Sequence, residues 1–169
     1  MRTLHFYYDY ACPFCKKGYD LLLEVLPSYP DVELHYIPCE IHPYPELWGK
    51  YSDLLAAGYY IAREIGEDIP TFNKRMFQAA TVHHVDIENI EVLSKLVADI
   101  LDQDTFAQKL EDRTFEAQVK QNNKEAWVAH NLQAVPSFRM EERYLHAVPG
   151  YGIDRDMLVN FLEGRDITV

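Results

Sequence analysis

The sequence predicts an α/β domain with a central mixed sheet, split by an inserted all-helical domain. Three observations carry this reading. The chain opens strand–helix–strand, a helical apolar period then fills its middle, and its end returns to a strand pair and a helix. Residues 1–40 and 131–169 should therefore fold together, with 41–130 forming a helical lid. A length of 169 residues, at about 150 per domain, fits one domain with an insertion. It is also enough chain to bury a core without metal or disulfide staples.

Each element follows from local pattern. Leu4 to Tyr8 is rich in aromatic residues and bounded by Asp9, as expected of a buried strand. From Pro13 onward Tyr19, Leu22, Leu23 and Leu26 recur at helical spacing, and Pro27 with Pro30 ends the run. Val32, Leu34 and Tyr36 alternate with Glu33 and His35, a second strand parallel to the first because a helix joins them. Helices are expected at Leu47–Ile65, Pro70–Ala80, Ile87–Leu101 and Phe115–Ala129, with a short one at Asp104–Leu110. The Ile87 helix is the clearest, with Ile87, Ile90, Leu93, Val97 and Ile100 on one stripe and Asp86 as N-cap. Ser137–Met140 and Tyr144–Val148 flank the charged turn Glu141-Glu142-Arg143 as a hairpin. Asp154 to Glu163 closes the chain with a helix carrying Met157, Leu158, Phe161 and Leu162.

Charge narrows the function classes. Sixteen Lys and Arg against 27 Asp and Glu give a net −11, which disfavours nucleic acid or an anionic membrane as partner. The longest apolar stretches, such as Leu54 to Ala62, are too short to span a bilayer. The first strand begins at Leu4, leaving no room for a secretory signal in this numbering. Three cysteines, Cys12, Cys15 and Cys39, are too few for a secreted disulfide scaffold. The expected location is the cytoplasm.

The sharpest motif is Cys12-Pro13-Phe14-Cys15, directly after a strand and at the start of a helix. Two intervening residues wound into a first helical turn bring the sulfurs close enough to bond. The helix N-terminus sets unpaired N–H groups and partial positive charge beside Cys12, favouring thiolate. Pro13 costs the helix little there. Cys12 is then the exposed nucleophile, and the more buried Cys15 resolves the mixed disulfide. Zinc is the competing reading, with Cys39 and His42 completing four ligands. The strand-to-helix setting favours redox chemistry instead, and no metal is expected.

The second motif is Ala134-Val135-Pro136-Ser137-Phe138. A proline at the mouth of a strand suits a cis bond or a sheet edge. A cis bond would turn the Val135 backbone toward Cys12, where its N–H and C=O could pair with a substrate peptide. Tyr7, Tyr8 and Tyr10 surround the cysteine motif and mostly pack the strands. Tyr10, Pro13, Phe14, Val135 and Pro136 are the candidate substrate-binding residues. Cys39 reads as a small buried hydrophobe, and His83-His84 as a helix-end or surface pair.

These segments carry a resemblance. Tyr8-Asp9-Tyr10-Ala11-Cys12-Pro13-Phe14-Cys15, Cys39-Glu40-Ile41-His42-Pro43 and Val135-Pro136-Ser137-Phe138 are similar to the DsbA-like branch of the thioredoxin superfamily, particularly FrnE-like dithiol oxidoreductases. Val148-Pro149-Gly150 matches more loosely. The resemblance implies a thioredoxin fold split by a helical domain, and thiol–disulfide exchange through Cys12 and Cys15 beside a cis Pro136. It implies no cofactor beyond the cysteine pair, with glutathione or another thiol as electron partner. Protein or peptide thiols and disulfides are the expected substrates, for a monomer or a homodimer. Two departures stand out. Ala134 occupies a place where these families usually carry a small residue, often glycine, and Pro13-Phe14 lacks the histidine of strongly oxidising DsbA, so the direction of catalysis does not carry over.

Two other functions fit the same layout. Kappa-class glutathione transferases and hydroxychromene carboxylate isomerases resemble it but use a serine or a single thiol at the helix start. The intact cysteine pair argues against them. A non-catalytic, chaperone-like peptide-binding module would keep its effect in Cys12→Ser.

Overall fold

The computed structural model describes residues 1–66 and 68–165. Its strands are β1 (Arg2–Tyr8), β2 (Val32–Pro38), β3 (Ser137–Met140) and β4 (Arg143–His146). They form one sheet in the order β2-β1-β3-β4. The first two run parallel, in register from Arg2↔Val32 to Tyr8↔Pro38. They are joined by α1 (Pro13–Val25), the helical crossover that a parallel pair needs. The β3 strand is antiparallel to both β1 and β4, which makes the sheet mixed, as the sequence predicts. The last four residues of the expected sheet domain, 166–169, lie outside the described residues.

Alternation along β1 assigns its two faces. Leu4, Phe6 and Tyr8 are fully buried on one, where the Phe6 ring stacks on Tyr8 at 4.7 Å and on Phe138 at 5.0 Å. Helix α1 lies against this face at close range. A Cβ on Gly18 would sit 3.2 Å from the Pro136 ring, a tight contact that the glycine relieves. Tyr7 faces the other way, where its hydroxyl donates to Glu125 Oε1 at 2.8 Å and accepts from Arg139 Nε at 3.1 Å.

Between β2 and β3 lie α2 (Asp53–Ile65), α3 (Ile69–Thr81), α4 (Ile90–Leu96), α5 (Gln103–Glu111) and α6 (Glu116–Lys124). The last runs into a π turn at Glu125–Ala129, within the single helix expected over 115–129. The helix expected from Leu47 starts only at Asp53. Pro43, Pro45 and Gly49 interrupt the segment before it, and Leu47 and Trp48 face solvent. The Ile87–Leu101 helix is also shorter than its apolar stripe. Ile87, Leu93 and Val97 are all buried, but the cap is Asn89, which accepts from Val92 N. Asp86 accepts from Glu88 N instead and closes the preceding turn. The hairpin turn is tighter than predicted. Glu141 takes φ 55°, Arg143 already belongs to β4, and Val148 pairs only with Gly152 in an isolated bridge. Helix α7 (Arg155–Leu162) follows, capped by Asp154 on Met157 N at 2.8 Å.

The helical segment shares its core with the sheet. Phe77 of α3 sits 4.9 Å from the Tyr10 ring, 5.4 Å from Tyr19 and 5.7 Å from Tyr8. Buried residues from both segments belong to one cluster. The helices are thus a wall of the same core, and they bring the β1–α1 junction and the segment after β2 together.

Candidate active site

The candidate site is built at the C-terminal ends of the parallel strands. Leaving β1, the chain turns on Asp9, whose carbonyl accepts from Cys12 N at 3.0 Å and whose Oδ1 accepts from Ala11 N at 2.9 Å. This side-chain-supported turn delivers Cys12 to the N-cap of α1, with Pro13 in the first turn. The Cys12 Sγ accepts from the Cys15 backbone N–H at 3.4 Å. All three cysteines are free thiols.

The two cysteines of the motif differ in environment. Cys12 is 7% exposed, and Cys15 is fully buried. Hydrogen bonding from the Cys15 thiol holds the Cys12 pKa below that of an ordinary thiol, and the N–H groups of Cys15 and Phe14 add to this. Burial and the negative charge of Asp9 oppose it. Burial, and then the Cys12 neighbour, push Cys15 well up. The two thiols are thus shifted in opposite directions, Cys12 toward ionisation and Cys15 away from it.

The Val135–Pro136 segment forms the opposite side. Its peptide bond is cis, and the Val135 carbonyl lies 3.9 Å from Cys12 Sγ. Val135 and Pro136 are both buried. Pro13 is exposed, and Phe14 is 37% exposed. Phe14 packs under Gly152, which takes φ +86° and whose missing Cβ would meet the ring at 3.0 Å. Tyr10 needs correcting as a substrate-binding residue. It is buried, with its hydroxyl donating to Asn73 Oδ1 at 2.5 Å, so it ties the motif to α3 and has no face for a peptide.

Two buried acids beside the cysteines were not singled out from sequence. Asp9 is 4% exposed, and its Oδ2 accepts from Ile41 N at 2.9 Å. Burial raises its pKa, against the pull of the Ile41 and Ala11 N–H groups. Glu40 is 5% exposed and is clasped by Asn123, which accepts from Glu40 N at 2.8 Å and donates to its Oε2 at 2.9 Å. Burial pushes the Glu40 carboxyl to about 7, with Asn123 opposing and the charges of Asp53 and Asp9 adding. The available signal was position: each acid directly follows a strand, or lies two residues beyond it, in a run of buried residues.

A cleft of about 220 Å³ opens here, lined by Asp9, Cys12, Pro13, Ile41 and Trp48 among others. His42 stacks on Trp48 at 3.9 Å and pairs with Glu46 at 3.0 Å, while the Cys39 thiol donates to the Tyr8 carbonyl at 3.4 Å. Among the described residues no group of three or more His, Cys, Asp or Glu is placed to hold a metal ion. His83 and His84 are exposed past the end of α3. No helix of the described residues is long and apolar enough to cross a membrane.

Comparison with known proteins places this arrangement. The family model for thioredoxin matches residues 1–151. The uncharacterized protein YwbO of Bacillus subtilis (strain 168) is 27% identical over 186 residues, spanning 88% of this chain and 92% of that protein. Oxidised BdbD from Bacillus subtilis superposes with a TM-score of 0.73 at 19% identity, covering 96% of this chain and 86% of that one. DsbA from Pseudomonas aeruginosa gives 0.73 at 16% identity, covering 96% and 80%. With a family match over most of its length, the chain belongs to the thioredoxin family, and it shares its fold with these structures.

Proposed function

We propose that the protein is a thiol–disulfide oxidoreductase of the FrnE-like type, using Cys12 and Cys15 as its redox pair on protein, peptide or small thiol substrates. The Cys12 thiolate attacks one sulfur of a substrate disulfide. That S–S bond breaks, a substrate thiolate leaves, and a mixed disulfide forms. Cys15 then gives up its proton and attacks the Cys12 sulfur, releasing the second substrate thiolate. The substrate is reduced and the pair oxidised by two electrons; the reverse sequence oxidises a substrate dithiol. The reading needs no bound cofactor, and glutathione or another thiol would return the electrons. We assign it to the cytoplasm on its low cysteine count, where reduction or isomerisation is favoured over net oxidation.

The observation that carries this is the asymmetry of the pair. A slightly exposed Cys12 at a helix N-cap accepts the Cys15 N–H, and a fully buried Cys15 lies one turn behind. Beside them, the Val135 backbone at 3.9 Å from the sulfur offers an edge along which an extended substrate can lie. The test is equilibration across a glutathione redox series, with free thiols mass-tagged and counted. A two-electron transition confined to Cys12 and Cys15 is expected. A midpoint near about −270 mV would mark a reductant, and one near about −120 mV an oxidant. A single persistent glutathione adduct on Cys12 would overturn the dithiol mechanism. Cys12→Ser should abolish exchange, and Cys15→Ser should trap the mixed disulfide.

A further inference from the structure

The segment that carries Val135 and Pro136 leaves the π turn and reaches β3 outside helix and strand, over residues 130–136. Both of its ends are fastened to β4. At the start, His130 Nδ1 and the Tyr144 hydroxyl are hydrogen-bonded at 2.8 Å. At the far end, Ser137 Oγ lies 3.2 Å from His146 Nδ1. Tyr144 and His146 stand two residues apart and so project from one face of β4, while Leu145 and Ala147 are buried on the other. Their rings stack at 5.7 Å with 7° between the planes, so the two fastenings share one support. The Pro136 carbonyl also accepts from Ala147 N at 3.1 Å, a backbone bond open to almost any residue at 147. The side-chain fastenings are particular to this sequence.

Ser137 is fully buried, and its hydroxyl has one proton to give. That proton goes to the Ala134 carbonyl at 2.6 Å, closing a turn around Val135 and Pro136. The hydroxyl oxygen therefore accepts from His146, whose proton sits on Nδ1. This bond survives in both charge states of the imidazole, because a second proton adds at Nε2. Ala134 is thus held from one side and Pro136 from the other, and the Val135 carbonyl between them faces Cys12 Sγ at 3.9 Å. We propose that Ser137, His146 and Tyr144 form a clasp that positions the Val135 backbone, and through it tunes the ionisation of Cys12 and the seating of a peptide disulfide. All three are positioning residues, since each acts through Val135. The seating half rests on the exchange reading of Cys12 and Cys15. A carbonyl oxygen facing the sulfur accepts from the thiol and repels the thiolate, so it opposes ionisation. A backbone held in place also offers an extended chain a fixed edge to pair with.

The experiment compares the full chain with Ser137→Ala, His146→Phe and Tyr144→Phe. His146→Phe keeps a ring on Tyr144 and removes the N–H, and Tyr144→Phe keeps the ring and removes the hydroxyl. His146 is exposed and Tyr144 half-buried, so these two replacements leave the core intact should Ser137→Ala fail to fold. Two readings are taken beside a urea melt: the thiolate absorbance titration, and exchange with β-hydroxyethyl disulfide and with a short peptide disulfide. Cys12 titrates first, because burial pushes Cys15 and Cys39 up. Ser137→Ala and His146→Phe should move its midpoint down by several tenths of a pH unit. They should also raise KM for the peptide about three- to tenfold, the loss of one hydrogen bond. Tyr144→Phe should act in the same direction by less. Above both midpoints, the rate with the small disulfide should stay within about twofold, because nucleophilicity falls only gradually with pKa. A lowered urea midpoint with Cys12 titration and peptide KM unchanged would reduce the clasp to a brace of the fold and overturn the proposal. A titration moving upward would overturn it too. Absence of exchange by the parent with either disulfide would sink the exchange reading, and the titration would then decide the clasp by itself.

Discussion

Replacing Glu40 by glutamine isolates the energetic cost of a buried acid near the cysteine motif. Glu40 is 5% exposed, and burial moves its carboxyl from 4.5 to about 7. At about 1.36 kcal/mol per pH unit this corresponds to about 3 kcal/mol. The folded protein holds this proton more tightly than the unfolded chain, so stability falls as pH rises through the interval. The contribution is fully present below pH 4.5 and lost above about 7. Glutamine stays neutral throughout and keeps the bond from Asn123 Nδ2 through its amide oxygen. The Glu40→Gln protein should therefore match its parent at pH 4 and exceed it by about 3 kcal/mol at pH 8. For a chain of this size that is about 6–12 °C in Tm. Urea and thermal melts of both proteins at pH 4, 6 and 8 provide the measurement. His5 and His146 titrate in an overlapping range, but they are common to both proteins and cancel in the difference. Parallel stability curves across the whole range would refute the reasoning.

Other perturbations read other parts of the site. Asp9→Asn leaves one carboxamide oxygen to serve two buried N–H groups, those of Ala11 and Ile41, each at 2.9 Å. It should cost about 1–3 kcal/mol in a urea melt, while loss of the charge that opposes Cys12 ionisation moves the thiolate absorbance titration to lower pH. A titration moving upward would contradict this placement of Asp9. His5 has a buried Nδ1 with no hydrogen-bond partner among the described residues, and burial, then Arg139 and His35, hold its pKa below the usual value. Its contribution is present above about pH 6.5 and lost as pH falls, so His5→Phe should flatten the acid limb of the urea midpoint. Gly152→Ala places a Cβ 3.0 Å from the Phe14 ring at φ +86°. It should cost about 1–2 kcal/mol, visible as a lowered Tm.

Elements whose pattern is complete within a few residues were readable in advance. The expected bounds of β3, Ser137–Met140, coincide with the observed strand, and Cys12 sits at the helix start that the motif implied. Leu47 and Trp48 misled the reading because helical spacing cannot say which way an apolar residue faces. Pro43 and Pro45 before them and Gly49 after them outweighed the period. Asp86 was displaced as cap by Asn89 because both are good N-caps, and the tertiary path settled which one opens the helix. Tyr10 looked available to a substrate because it adjoins the cysteine motif. Its burial depends on Asn73 and Phe77 of α3, more than sixty residues away.

The same distinction explains the chemistry of the site. Thiolate-favouring features of Cys12 are local: the N-cap position, the Cys15 N–H and the Cys15 thiol all lie within three residues. Features that restrain it come partly from elsewhere. The parallel register Tyr8↔Pro38 aligns the strand ends so that Asp9, one residue past β1, accepts the N–H of Ile41. Glu40, two residues past β2, is then buried against Asn123 of α6. A CxxC spacing therefore marks a candidate nucleophile but leaves its poise open, since Asp9, whose charge opposes Cys12 ionisation, is held against Ile41 N only when β1 and β2 come together. Removing the Asp9 charge and fixing Glu40 neutral separate these two contributions, because the first acts directly on the Cys12 titration and the second first on folding.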